Sequence, residues 1–344
     1  MPKKILSVFS GLLIVVGLFL FFSIKTQTGT KLLSPLVSSN VPTPSPRPME
    51  KYYFDNLANE EYEGSQIQLE EEYTPPSMYF EPIDDVKTWL FSYFSNGKKV
   101  TGMANIPNQC TENQPCPVVI MLRGYVDNEI YFTGIGTHKA AGQFAQNGFI
   151  TLAPDFLGFG KSDYPDKDVL KARFTRPITL LNLLSSLETL PQINTQKTFF
   201  WGHSNGGQIA LSVLEITGRK IPTILWAPMT KGFPECITTY IGDEDDLDKN
   251  GKKLLDQIND FCVKYSAERV SIDHFWNRIN APIEIHQGGA DQWVPAKWSE
   301  DFVNQMQLRG KNVSYYYYPE SDHNLKQNWD EVVEKNLKFY KKYL

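Results

Sequence analysis

The apolar run Thr-Phe-Phe-Trp at residues 198–201 passes without a spacer into Gly202-His203-Ser204-Asn205-Gly206-Gly207, and a helix-forming stretch opens at Gln208. A strand that turns into a helix within so few residues leaves no slack for side chains at the turn. Glycines two before and two after Ser204 remove the side chains that would collide there. The serine takes a strained backbone conformation, and its hydroxyl projects above the sheet. The N-terminus of the following helix adds partial positive charge at the same point. In this setting G-x-S-x-G marks an activated serine nucleophile rather than a glycine-rich turn that merely contains a serine.

Such a turn needs a sheet around it, and the sequence supplies one. PVVIML at 117–122 is a short continuous apolar run, as expected of a strand buried on both faces, and similar runs recur at 149–153, 223–226, 282–285 and 313–318. Helix-like stretches lie between them at 138–147, 178–190 and 208–215. Upstream, residues 87–94 and 99–107 flank Ser95-Asn96-Gly97-Lys98, a hairpin whose Asn-Gly pair supplies the positive φ of a tight turn. The expected fold class is α/β: a mostly parallel sheet with helices on both faces, entered through an antiparallel hairpin. A hydrophobic content of 41% against 21% charged residues suffices for a core of that size. With 34 Lys+Arg against 39 Asp+Glu the net charge is −5, so no basic excess exists to neutralise phosphates, and nucleic acid is not the expected partner.

A serine hydroxyl needs a base, and the base needs an orienting acid. The chain has five histidines. His203 sits inside the turn and cannot reach back to Ser204; His286 falls in an apolar strand; His138 precedes a helix; His274 lies in an insertion. His323 remains, in the loop Glu320-Ser321-Asp322-His323-Asn324 between the last strand and the C-terminal helix, at the edge where strand ends meet ligands. The acid should leave the preceding parallel strand, where Gln287-Gly288-Gly289-Ala290 presents Asp291. Asp322, adjacent to His323, is a poor rival because neighbouring side chains diverge. The oxyanion donors expected are the backbone amides of Asn205 and of Tyr125 in the Arg123-Gly124-Tyr125 loop, with the Tyr125 phenol as a third candidate. This chemistry calls for no cofactor.

The N-terminal part reads differently. Residues 5–24 hold twenty residues without a charge, which as a helix span about 30 Å, the thickness of a bilayer core. No small-residue cleavage pattern follows, so an uncleaved single-pass anchor is expected after a four-residue tail. Residues 25–50 carry five prolines and read as an extended spacer. Residues 51–86 are an acidic, aromatic extension packed on the domain at 87–344. A long folded domain after the span is expected to lie outside the cytoplasm, the alternative being a cytoplasmic domain on a reversed anchor.

From residue 87 onward the chain resembles the α/β-hydrolase superfamily, and within it the catalytic domain of prolyl-oligopeptidase-type serine peptidases. The residues that carry the resemblance are GHSNGG at 202–207, DFLGFGKSD at 155–163, QGGADQWVP at 287–295 and YPESDH at 318–323. The resemblance implies a triad in the order Ser204, Asp291, His323 and a peptide substrate. Carboxylic esters, acetylated sugars among them, use the same triad, and a non-catalytic scaffold of this fold is the out-of-class alternative. The family often has His-Gly where this chain has Arg123-Gly124. The β-propeller of the large oligopeptidases does not fit in the residues ahead of the core.

Four other stretches carry weaker signals. Gly158-Phe159-Gly160-Lys161-Ser162 ends like a phosphate loop, but Asp155 stands where that loop needs glycine, and a strand-end turn is expected. Asp246, Asp248 and Asn250 match the first half of a calcium loop. Gln257 replaces its bidentate Glu, so no metal is assigned and a helix-capping turn is expected. Tyr315–Tyr318 is expected to be a buried strand rather than a stacking platform. Residues 229–276 read as a lid insertion with an amphipathic helix near 252–265. Four cysteines allow three pairings or free thiols; in an oxidising compartment Cys110 is expected to pair with Cys116 across a short loop, and Cys236 of the insertion with its Cys262.

Overall fold

The computed structural model describes residues 47–76, 83–241 and 248–344. The apolar run at 5–24, the Pro-rich stretch up to residue 46 and Asp246 lie outside the described residues. Among those described, no helix is long and apolar enough to cross a membrane.

The hairpin forms where Asn-Gly demands it. β2 (Val86–Ser95) and β3 (Lys98–Pro107) pair antiparallel in unbroken register around Asn96 and Gly97, whose φ values are 49° and 75°. β1 (Gln68–Glu72) adds to the free edge of β2. β4 (Cys116–Leu122), β5 (Ile150–Pro154), β6 (Ile193–His203), β7 (Thr223–Trp226), β8 (Ile283–Gly288) and β9 (Val313–Tyr318) form the parallel part. The strand order is β1-β2-β3-β5-β4-β6-β7-β8-β9. The chain therefore passes from β4 to β5 on one side and returns through β6 on the other. That reversal opens a crevice at the carboxyl ends of β4 and β6, where ligands of open α/β sheets bind.

Both faces of the sheet are covered, and the alternation along β4 shows how. Val118, Ile120 and Leu122 join one apolar cluster, which includes residues of α2 (Val169–Ser186) and α3 (Asn205–Thr217). Val119 and Met121 join the other, with residues of α1 (His138–Gln146) and α5 (Trp329–Lys341). The N-terminal extension is part of the first cluster, through Tyr52, Tyr53, Phe54, Leu57 and Ile67.

Three expectations need correction. The helix read from residue 178 begins at Val169, because Asp168 caps it by accepting from the amides of Leu170 and Lys171 at 2.9 and 3.1 Å, and Pro177 lies inside it. A proline there forfeits one backbone bond at about 3 kcal/mol. Burying Leu170, Phe174, Ile178, Leu180, Leu181, Leu183 and Leu184 outweighs that loss. Tyr315–Tyr318 is not a buried strand: β9 is the sheet edge, with Tyr317 exposed and Tyr318 alone fully buried. Cys110 and Cys116 are disulfide-bonded, but Cys236 and Cys262 are both free. Cys262 follows Phe261 in α4 (Lys249–Lys264). Phe261 is turned into the core, so the next residue, about 100° further round, faces solvent. The tether between the ends of the insertion is therefore absent.

The discounted signals resolve as local structure. Asp248 caps α4 by accepting from the Gly251 amide at 2.7 Å. The phosphate-loop look-alike is a turn after β5, in which Lys161 pairs with Glu71 and Ser162 Oγ accepts from the Thr101 amide.

Candidate active site

Register brings the first parts of the site together. Leu122 of β4 lies opposite Gly202 of β6, so the residues that follow run side by side. A Cβ on Gly124 would lie 3.1 Å from that of Ser204. The glycines of the elbow are required by close approach. A Cβ on Gly206 would sit 1.9 Å from the Leu122 carbonyl oxygen, one on Gly202 2.9 Å from Gly207 Cα, and one on Gly207 2.8 Å from Pro228. Ser204 has φ 53° and ψ −120°, the strained turn that the spacing demands. It is held there by its amide donating to Trp226 at 2.9 Å and its carbonyl accepting from Gly207 and Met229 at 3.0 Å. Strain of this kind costs about 1–3 kcal/mol and persists only under such constraint.

The ends of β8 and β9 supply the other two groups. A Cβ on Gly288 or Gly289 would collide with the backbone of residues 319–322, and the Gly289 and Ala290 amides donate to Tyr318 and Ser321 at 2.7 and 3.0 Å. The two loops are thereby stitched side by side, and His323 Nδ1 donates to Asp291 Oδ2 at 2.7 Å. Asp291 Oδ1 accepts from the Trp293 and Val294 amides at 2.8 and 2.9 Å, and Oδ2 also accepts from Gln287 Nε2 at 3.1 Å. Burial pushes the Asp291 carboxyl up, but the hydrogen bonds from His323, Val294 and Trp293 outweigh it and hold the group below the usual carboxylate range. With the His323 proton on Nδ1, Nε2 keeps its lone pair, as a base requires. Ser204 Oγ has no hydrogen-bond partner among the described residues. Of the two links that a relay from serine through histidine to acid needs, the structure contains the second.

The other assignments sort cleanly. Asp322 spends its Oδ1 on the Asn324 and Lys326 amides of its own loop. His286 is buried among Glu284, Tyr318 and Asn336. The Asn205 amide directly follows the serine and the Tyr125 amide follows Gly124, which packs against it; neither has a protein acceptor among the described residues. The Tyr125 phenol is not a third donor: the ring is exposed, and its hydroxyl donates to Asp127 at 2.7 Å. Arg123 is buried between the rings of Tyr131 and Phe159, 4.7 and 4.1 Å from their centroids, and donates to the Asp155 and Gly124 carbonyls at 3.0 and 2.9 Å. It braces the loop that carries the Tyr125 amide.

Sequence reasoning missed two supports. His203 Nε2 donates to the His323 carbonyl at 3.0 Å, so the residue beside Ser204 holds the backbone of His323. Gln287, which holds Asp291, is itself fixed by Ser299 Oγ donating to its Oε1 at 2.8 Å. Neither carries a local motif; each is found only when strand ends are brought together.

A strained serine between strand and helix, met by an Asp–His pair from two later strand ends at a topological switch point, is the architecture of the α/β-hydrolase fold. Family models agree: that of the prolyl oligopeptidase family matches residues 179–344, and that of serine aminopeptidase matches residues 114–242. The chain has the α/β-hydrolase fold and is a serine hydrolase.

Solved structures share the fold across both chemistries. An acetyl xylan esterase from a Paenibacillus species is 16% identical, with TM-score 0.61, over 86% of this chain and 96% of that one. Est1E from Butyrivibrio proteoclasticus, solved with ferulic acid bound, is 21% identical, with TM-score 0.54, over 72% of this chain and 96% of its own. Dipeptidyl peptidase 4 from Porphyromonas gingivalis is 13% identical, with TM-score 0.52, over 81% of this chain but 35% of that one. No curated protein matches the sequence.

Proposed function

We propose that this chain is a serine peptidase of the prolyl-oligopeptidase type that cleaves acyl bonds through a covalent acyl-enzyme. Ser204 attacks, His323 takes the proton and returns it to the leaving group, and Asp291 holds the imidazole. The Asn205 and Tyr125 amides stabilise the oxyanion. The observation that carries the reading is the 2.7 Å bond from His323 Nδ1 to an Asp291 held below the usual carboxylate range, beside a serine in the strained elbow geometry. The peptidase assignment is supported by the match to the prolyl oligopeptidase family over 179–344, which spans all three residues.

A carboxylesterase is the second reading, favoured by fold similarity that covers nearly the full length of the acetyl xylan esterase. We further propose that residues 5–24 anchor the enzyme as a single-pass helix, with the hydrolase domain outside the cytoplasm. The length of the uncharged run supports this.

A fluorophosphonate probe should form an adduct on Ser204 in the folded wild-type protein and none in Ser204→Ala. No adduct on folded wild type would reduce the protein to a scaffold. Turnover of matched peptide anilide and ester libraries then separates the two chemistries.

A further inference from the structure

Beside the elbow, on the flank away from His323 and Asp291, α2 presents two arginines one helical turn apart. Arg173 and Arg176 both line a cavity of about 40 Å³ whose wall includes Asn205 and Gln208, the first and fourth residues of α3. Among the described residues, the hydrogen-bond partners of Arg173 are uncharged groups: Gln208 Oε1, Met229 Sδ and Cys236 Sγ. Arg176 has no hydrogen bond or ion pair among the described residues, and it also lines a second cavity of about 280 Å³ behind the turn at Gly158. The sequence shows the same isolation, with no acid three or four residues to either side of Arg173 or Arg176. Burial, then the charges of Arg173 and Arg123, pull the Arg176 guanidinium down to about 9, as expected where like charges gather without an anion. Paired guanidinium groups of this kind match a carboxylate in geometry and charge.

We infer that the acyl part of the substrate carries a carboxylate, bound by Arg173 and Arg176 in this cavity. The side of the scissile bond follows from the reaction. The leaving group departs toward His323, which protonates it, and no residue of the Asp291 or His323 loops lines the cavity. The group seated there stays on Ser204 in the acyl-enzyme. A peptide would then have an acidic residue on the acyl side of the cleaved bond; an ester would be the half-ester of a dicarboxylic acid. This rests on the proposed triad.

The test uses activated esters, which a serine peptidase and an esterase both hydrolyse through the same acyl-enzyme. The kcat/KM ratio of p-nitrophenyl hydrogen adipate to p-nitrophenyl valerate is measured, with uncatalysed hydrolysis subtracted. Wild type should prefer the charged ester at least about tenfold, and Arg176→Met and Arg173→Gln should each collapse that ratio toward one. Should either variant fold poorly, inhibition of valerate hydrolysis in wild type decides instead. Glutarate should compete at least about tenfold better than its diamide. Hydrolysis of both esters without preference, or a preference that survives both substitutions, overturns the carboxylate site and leaves the triad standing. Failure on both esters together with no fluorophosphonate adduct overturns the triad itself.

Discussion

Removing the Ser204 hydroxyl, the His323 ring or both should cost nearly the same, because in the proposed mechanism the two act on one proton. Each alanine variant and the double variant should lose about 10⁴-fold or more in kcat, and multiplied losses would show that they do not work as a unit. Asp291→Asn should also fall by about 10⁴-fold, since an amide cannot hold the tautomer that leaves Nε2 free. His203 has a different, pH-dependent signature. Burial, with the His323 ring adding to it, pulls its pKa from 6.5 down to about 4, so in the folded chain it stays neutral and donates to the His323 carbonyl. Between those values the unfolded chain takes up a proton that the folded chain refuses. Stability is therefore whole above pH 6.5 and drains as the pH falls toward 4, by about 3 kcal/mol at most. Urea midpoints followed from pH 7 to pH 4 should fall less steeply for His203→Gln than for wild type. Parallel curves would show that this histidine is not the group responsible.

Among the elements, the contact between β4 and the start of α3 is the least forgiving. Gly206→Ala places a methyl 1.9 Å from the Leu122 carbonyl oxygen, a backbone atom that cannot swing aside. Strand and helix must separate, so the variant should lose about 3 kcal/mol or more of stability and its fluorophosphonate labelling together, read by urea unfolding and intact mass. A variant of unchanged stability would mean that the approach is looser than described. This element was legible from sequence, because a Gly-x-Ser-x-Gly-Gly turn has one physical explanation and the apolar runs beside it have one environment. Helix α2 was not, because Pro177 looks like a boundary and the Asp168 cap before it announces itself weakly. The edge position of β9 was also hidden, since four tyrosines suit a buried strand as well as an open edge. The Cys236–Cys262 pairing failed for a related reason: which way a helical residue faces depends on what the helix packs against.

At the scale of the whole molecule, the extension ahead of the hairpin is structural. Tyr52, Tyr53, Phe54, Leu57 and Ile67 are all buried in the main core, Arg278 and Arg269 pair with Asp55, and β1 closes the edge of β2. Five side chains at about 2 kcal/mol each approach 10 kcal/mol as an upper bound, comparable to the whole stability of a typical domain. A chain beginning at residue 49 should show near-UV dichroism and a cooperative melt, whereas one beginning at residue 86 should show neither. A cooperative melt of the shorter fragment at the same temperature would make the extension an ornament. The strand order has a consequence in time. Ser204 stands at the end of β6, near the middle of the sheet, while Asp291 and His323 follow β8 and β9, the last strands made and the outermost on that side. A polypeptide emerging from the ribosome folds its N-terminal portions first, so a nascent chain that has completed β7 holds the elbow with neither Asp291 nor His323. In the proposed mechanism, hydrolytic competence arrives only when the final strand docks.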